Sequence, residues 1–363
     1  SAGREGPIVQ VGSALGSSIG QWIHLSDARI KNLVACGAAA GIAATFNAPI
    51  AGVVFAIVVL LSGIQVTVCG NVVVSAVAAS SVSQIFLGAR PAFEIPGYVM
   101  QSPWEILLYV ILGLLAALVG ILFIRMLYYT EEVFDRLAIP EWLKPATGAL
   151  LLGILAFCYP YVGTISYISQ NDMALGLPIT ENYPHIFGSG FLFLEEVLQG
   201  RAPFFLLFLL IFLKPLATSF TLGSGNSGGV FAPCLYLGAV TGGFFGNIAA
   251  KLLPQIHIAP GAYALVGMGA FLSAATHTPM TAIFLLFEIT DSYEVIVPIM
   301  LTCVIGTSIA RHYKKDSLET VELSRAGIDL EAGKERNIMK SLNVGDVMAR
   351  DVETIPEHMT LGQ

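Results

Sequence analysis

Fifty-eight consecutive residues, those between Lys31 and Arg90, contain no Asp, Glu, Lys or Arg. Lys144 and Asp172 enclose 27 more, and the intervals Lys214 to Lys251 and Lys251 to Glu288 enclose 36 each. A helix needs about 20 predominantly apolar residues to cross the hydrocarbon of a bilayer, so each interval has room for one or two spans. Only 12% of the 363 residues are charged, against about 25% in soluble proteins. Such a chain is not an ordinary soluble enzyme, a disordered protein or a nucleic-acid binder. It reads as an all-α, polytopic membrane protein.

Charge collects at the C-terminal end. From Lys314 to Gln363 there are 7 Lys and Arg and 10 Asp and Glu, 17 of the chain's 43 charges, which marks a water-facing tail. Lys314 and Lys315 directly after the last apolar segment place that tail in the cytoplasm by the positive-inside rule. The five cysteines (Cys36, Cys69, Cys158, Cys234, Cys303) lack metal-ligand spacing and sit in apolar stretches, where cysteine acts as a small hydrophobe. No metal is expected. The chain opens at Ser1-Ala2-Gly3-Arg4, and the natural protein is expected to extend further in the N-terminal direction.

Gly, Pro and charge divide the apolar body into helical segments at 7–23, 29–46, 49–62, 68–88, 104–129, 145–161, 171–177, 190–199, 203–220, 230–250, 260–275, 279–291 and 294–312. Several are too short for a straight span. Helices that end inside a bilayer must satisfy their end groups elsewhere, so they normally border a buried or watery site.

Two groups of segments repeat. Pro7 through Gly12 and Gly16 correspond to Pro233 through Gly238 and Gly242, an offset of 226; Gly37 through Pro49 correspond to Gly267 through Pro279, an offset of 230. Such repeats typify transporters, with the substrate site where the repeats meet.

Each repeat begins with a Gly-rich turn running into a helix: Gly3-Arg4-Glu5-Gly6-Pro7, and Gly223-Ser224-Gly225-Asn226-Ser227-Gly228-Gly229-Val230-Phe231-Ala232-Pro233. Proline suits the first turn, where its missing N–H costs nothing, and glycine lets the backbone approach a ligand. The free N–H groups of a helix start attract an anion. A single helix end contributes only about 0.3–2 kcal/mol, so two converging ends are needed. Arg4 adds a cation. Glu5 is an intramembrane carboxylate, a functional position by default: ionised it can occupy the anion's nest, and protonated it can leave. Phe231 stands at the repeat-related position.

These motifs resemble those of the CLC family of chloride channels and chloride/proton exchangers. Gly3-Arg4-Glu5-Gly6-Pro7 and Gly229-Val230-Phe231-Ala232-Pro233 match two of that family's three filter motifs, and the helices 37–49 and 267–279 fit as well. The resemblance implies an inverted-repeat, broken-helix domain over 1–313, with Glu5 as external gate and proton acceptor. It implies a central anion held by N–H groups around Val230 and Phe231, and an outer one by those from Arg4 to Gly6; Gly3, Pro7, Gly229, Ala232 and Pro233 complete the candidate anion-binding set. It implies a homodimer in a lipid bilayer, handling small inorganic anions and protons, with chloride as bound substrate and no other cofactor in the membrane domain.

The chain departs from the family pattern in three ways. The first filter motif does not occur after Ser1. The family's pore tyrosine falls near Glu319, with Tyr313 the nearest tyrosine. The inner proton-relay glutamate falls at Val59, with Val58 beside it. Valine carries no proton, so the expected function is a glutamate-gated chloride pore that conducts passively or couples weakly to protons. The alternative is a chloride/proton antiporter using another inner path; Glu288, the repeat counterpart of Val58, is either a substitute carrier or a buried structural partner. A more distant alternative is a membrane serine protease with Ser227 as nucleophile, which would need a His and an Asp on a β-barrel. After a linker at 314–342, Asn343-Val344-Gly345-Asp346-Val347-Met348 and the residues to 363 resemble the start of a CBS domain, a module that often binds adenine nucleotides.

Overall fold

The computed structural model describes residues 1–61, 66–88, 98, 102–159, 184–290, 292–314 and 316–321. Among them run twelve α-helices: α1 (Glu5–Trp22), α2 (Asp27–Phe46), α3 (Pro49–Phe55), α4 (Val66–Leu87), α5 (Glu105–Arg136), α6 (Lys144–Phe157), α7 (Phe191–Leu198), α8 (Phe204–Gly223), α9 (Phe231–Leu252), α10 (Pro260–Thr276), α11 (Pro279–Thr290) and α12 (Ile296–Tyr313). A π-helical turn, Ala56–Leu60, continues α3. The expected segments match these helices except at 171–177, which lies outside the described residues, and at the end of α5. There the charged run from Glu131 onward does not end the helix, because Glu132 and Arg136 pair one turn apart along it.

Among the described residues, five helices (α4, α5, α8, α9 and α12) are long and apolar enough to span a membrane. At about 1.5 Å per residue, α5 is about 48 Å long, more than the roughly 30 Å hydrocarbon thickness, so it must tilt or project. By the same measure α3 is only about 10 Å long, a half-helix by construction.

The repeat seen in the sequence is a repeat of packing. A Cβ on Gly12 would collide with the Gly37 carbonyl, and one on Gly37 with the carbonyl of Gly12. Gly238 and Gly267 stand in the same relation. One turn on, Gly16 lies against the Leu33 carbonyl as Gly242 lies against that of Tyr263. Helices α1 and α2, and again α9 and α10, therefore meet backbone to backbone, the small-residue packing that replaces a hydrophobic driving force in lipid. Both second helices end on a left-handed residue, Asn47 (φ 54°) and His277 (φ 57°), two residues before the proline that opens the next short helix.

The buried core follows α9, α10 and the inner face of α5, with Tyr236, Tyr263, Phe271, Phe123 and Leu112 among its fully buried side chains. One face of α8 is exposed at Phe205, Phe208 and Phe212 while Leu207 and Leu210 on the other are buried. Cys36, Cys234 and Cys303 are buried as expected, whereas Cys158 is exposed and Cys69 half-buried. After α12 the chain turns back. The Leu318 N–H donates to the Ala275 carbonyl at the end of α10 (3.0 Å), and the Tyr128 hydroxyl donates to the Leu318 carbonyl (2.7 Å).

The first compact unit runs from Ser1 to Leu318, and the second begins at Glu319. The expected linker from residue 322 onward and the CBS-like segment 343–363 lie outside the described residues.

Candidate functional site

The two Gly-rich turns meet. The Gly3 N–H donates to the Gly229 carbonyl (2.9 Å) and the Gly229 N–H donates to the Gly3 carbonyl (2.7 Å), an isolated antiparallel bridge. Such a reciprocal pair has a local two-fold axis, so the chain leaves the bridge in opposite directions and starts a helix two residues later on each side: α1 at Glu5 and α9 at Phe231. Glycine is required on geometric grounds. A Cβ on Gly6 would stand 2.8 Å from the Gly229 Cα, and one on Gly229 would stand 2.5 Å from the Gly6 nitrogen.

Neither helix start is capped by a side chain; Arg4 and Val230 occupy the N-cap positions with no side-chain hydrogen bond to the first turn. Pro7 and Pro233 sit at the third helical position of each. Two sets of first-turn N–H groups and two dipole ends thus converge on one place, the arrangement that favours negative charge.

The Glu5 side chain occupies that place. It is 1% exposed, and no donor among the described residues comes within hydrogen-bonding geometry of either carboxylate oxygen. Its Oε2 and the Ala232 Cβ lie on the same side of Gly3, which places the acid beside both helix starts. A Cβ on Gly3 would collide with its Oε2; the absent side chain at Gly3 is what leaves room for the acid. Arg4 is exposed and its guanidinium makes no ion pair among the described residues. Phe231 is buried, with its ring edge-on to Phe55 of α3 at 5.6 Å between centroids.

A second buried charge lies behind the bridge. Lys214 of α8 is fully buried, donating to the carbonyls of Ile186 (3.1 Å) and Gly188 (2.9 Å) and lying 4.7 Å over the Tyr236 ring of α9. The Ile186 carbonyl also accepts from the Ser1 hydroxyl (2.5 Å), and Thr218, one turn along α8, donates to the Ser1 carbonyl (3.0 Å). Lys214 and Thr218 therefore tie α8 and the segment 184–190 to the N-terminal residues that lead into Gly3. Sequence reasoning used Lys214 only as the edge of an uncharged interval. The overlooked signal was its isolation within an apolar helix, since a buried cation needs partners.

The remaining predicted residues lie apart. Val59 is half-buried in the π-helical turn and Val58 beside it is exposed. Glu288 of α11 accepts from the backbone N–H groups of Ile50 (2.8 Å) and Ala51 (2.7 Å) at the start of α3, the geometry of a structural partner. Ser227 is an exposed residue of the turn before α9. Among the described residues its surroundings are helical, without the β-barrel that the protease reading needs. His277 caps α10 in a left-handed conformation and its carbonyl accepts from Arg311 (3.1 Å). Glu319 opens the second unit.

Half-helices arranged as two inverted repeats, with their starts converging on a buried acid, define a multi-pass membrane transport protein. Solved structures share this fold. A slow cyanobacterial chloride/proton antiporter superposes with a TM-score of 0.73 at 27% identity, covering 91% of this chain and 73% of that one. A CLC-type fluoride/proton antiporter, at 23% identity and a TM-score of 0.69, shows the fold alone. The family model for voltage-gated chloride channels matches residues 1–311. The chain belongs to that family, the CLC proteins. Among curated relatives, a putative chloride channel protein ClcB-like of Ralstonia nicotianae is 37% identical over 310 residues, which is 84% of this chain and 67% of the relative. The H(+)/Cl(-) exchange transporter ClcA of Yersinia pestis bv. Antiqua is 32% identical over 327 residues, 89% of this chain and 64% of that protein. The chain thus spans about two thirds of the length of these relatives.

Proposed function

We propose that this chain carries the anion pathway of a chloride/proton exchanger. The observation that carries the reading is the Gly3–Gly229 bridge, which brings two uncapped helix starts together with a buried, unpartnered Glu5 between them. A dehydrated chloride is held by the N–H groups around Val230, Phe231 and Ala232, and a second by those from Arg4 to Gly6. The glycines Gly3, Gly6 and Gly229 allow the approach, and Pro7 and Pro233 set the first turns. The Glu5 carboxylate competes for the same groups; taking up a proton removes that competition and moves the proton with it.

Val59 speaks for passive conduction, because no carboxylate stands there. The curated relative named as an exchange transporter and the structural neighbour titled an antiporter speak for exchange, and exchange is the reading adopted, with the inner proton route lying elsewhere than residue 59. The working unit is a homodimer, for which the exposed apolar side chains of α4 (Val73, Val74, Val77) and α12 (Val297, Met300, Val304) supply surface. Lys314 after α12 supports a cytoplasmic tail.

The test imposes a chloride gradient on proteoliposomes holding the full-length protein, with no pH gradient. Exchange predicts that chloride movement drives protons the opposite way and builds a pH gradient where none was imposed. Chloride movement with none would return the protein to passive conduction.

A further inference from the structure

Helix α3 is seven residues long before its π-helical continuation, and its first-turn N–H groups have no carbonyl of their own helix to bond. Pro49 lacks the first N–H. The Gly52 N–H returns to the Ala48 carbonyl (3.1 Å). The two left over, Ile50 and Ala51, are each taken by one oxygen of Glu288, at 2.8 and 2.7 Å. Glu288 belongs to α11, the second repeat's copy of α3. The first repeat offers nothing in return, since the counterpart of Glu288 is Val58. One repeat therefore holds the other by a single carboxylate, and in one direction.

The far end of α3 leads to the anion site. Phe55, its last residue, is 5% exposed and packs edge-on against Phe231 at 5.6 Å with an interplanar angle of 70°. Phe231 is the first residue of α9, one of the two uncapped helix starts. Along its side, α3 is fixed against α2, where a Cβ on Gly52 would meet the Ala39 carbonyl at 2.6 Å. A rigid element of about 10 Å thus runs from the Glu288 carboxylate to the ring beside the proposed anion. Rotation or withdrawal of α3 at Ile50 must move Phe55 at the other end, because a seven-residue helix has no internal joint.

We propose that Glu288 is a positioning residue for the anion site: from α11 it clamps the start of α3, and through α3 it sets Phe55 against Phe231. The inference rests on the anion site proposed above. Both carboxylate oxygens are taken up by α3, so the role proposed for Glu288 is geometric rather than that of the missing inner proton carrier.

The experiment uses the full-length protein in detergent and in proteoliposomes, with Glu288→Gln, Phe55→Leu and the double variant. Glutamine presents one oxygen and one NH2 group, so one of the two α3 N–H groups loses its acceptor while side-chain volume is kept. Chloride affinity is read by calorimetry, the chloride-to-nitrate flux ratio in vesicles, and amide exchange over 49–60 and 226–234 by mass spectrometry. Glu288→Gln should speed exchange in both segments and shift chloride affinity or the flux ratio by roughly 2- to 30-fold, the range seen for residues coupled to a site they do not touch. Phe55→Leu should shift the same quantities, and the double variant no further than the larger single effect. Faster exchange confined to 49–60, with affinity and flux ratio unchanged, overturns the proposal and leaves Glu288 a cap only. Fully additive effects overturn it as well. If Glu288→Gln does not fold, Phe55→Leu decides alone: unchanged selectivity and affinity refute the path. If the unaltered protein moves no anion, the transport reading fails on its own, and exchange at 226–234 in Glu288→Gln still decides whether α3 transmits.

Discussion

Substituting Gly229 by alanine tests the junction on which the proposed anion site depends. The added Cβ would stand 2.5 Å from the Gly6 nitrogen, 3.1 Å from its Cα and 3.4 Å from the Gly3 carbonyl oxygen. All three are backbone atoms, so no rotamer change relieves the clash. The two turns must separate, with the loss of both bridge hydrogen bonds at 2.9 and 2.7 Å. Overpacking of this kind costs about 1–3 kcal/mol, and each lost hydrogen bond about 1 kcal/mol net, together roughly 3–5 kcal/mol. Folded domains have only about 5–15 kcal/mol in hand, so the variant should unfold well below the parent in a detergent melt. What stays folded should bind chloride more weakly. Withdrawing one helix start removes about 0.3–2 kcal/mol of dipole stabilisation, up to a roughly 30-fold loss of affinity by calorimetry. Gly153→Ala in α6, where a Cβ meets nothing within 4 Å, is the control and should be neutral or more stable by about 0.5–1 kcal/mol. A Gly229→Ala protein with the parent's melting temperature and chloride affinity would refute the reasoning.

Glu5→Gln keeps the side chain's shape but cannot ionise; anion flux in vesicles should lose most of its pH dependence and proton coupling should vanish, whereas unchanged coupling would remove Glu5 from the proton path. Gly12→Ala and Gly238→Ala strike equivalent backbone contacts in the two repeats and should lower the melting temperature by similar amounts, each at a cost of about 1–3 kcal/mol; a harmless change at either site would argue against equivalent packing. Lys214→Met leaves the Ile186 and Gly188 carbonyls without their donor, at about 1–3 kcal/mol for each orphaned group, partly offset by no longer burying an ammonium; thermal melts should show net destabilisation, and faster amide exchange across 184–190.

Much of this was legible in the sequence because it is written in spacing. The 226- and 230-residue offsets align glycines that prove to be the points of backbone contact, since only the smallest side chain permits it. Other features left no local mark. The π-helical turn lies in Ala56-Ile57-Val58-Val59-Leu60, an apolar run with nothing to distinguish it from α-helix. The Gly3–Gly229 bridge joins main chains 226 residues apart, so no side-chain pattern announces it. The Glu288 bonds to α3 are likewise long-range. The sequence admitted either a proton carrier or a structural partner there, and the paired N–H groups of Ile50 and Ala51 supply the structural role.

The two-fold relation at the bridge is broken at one pair of positions, where Glu5 on one side faces Phe231 on the other. Along the proposed pathway, an ion arriving from opposite compartments would therefore meet different chemistry first, an acid from one direction and an aromatic ring from the other. Acidifying the two compartments in turn should give unequal responses. Reconstituted molecules inserted both ways round would blend those responses, so a blocker applied to one face is needed to read either orientation by itself.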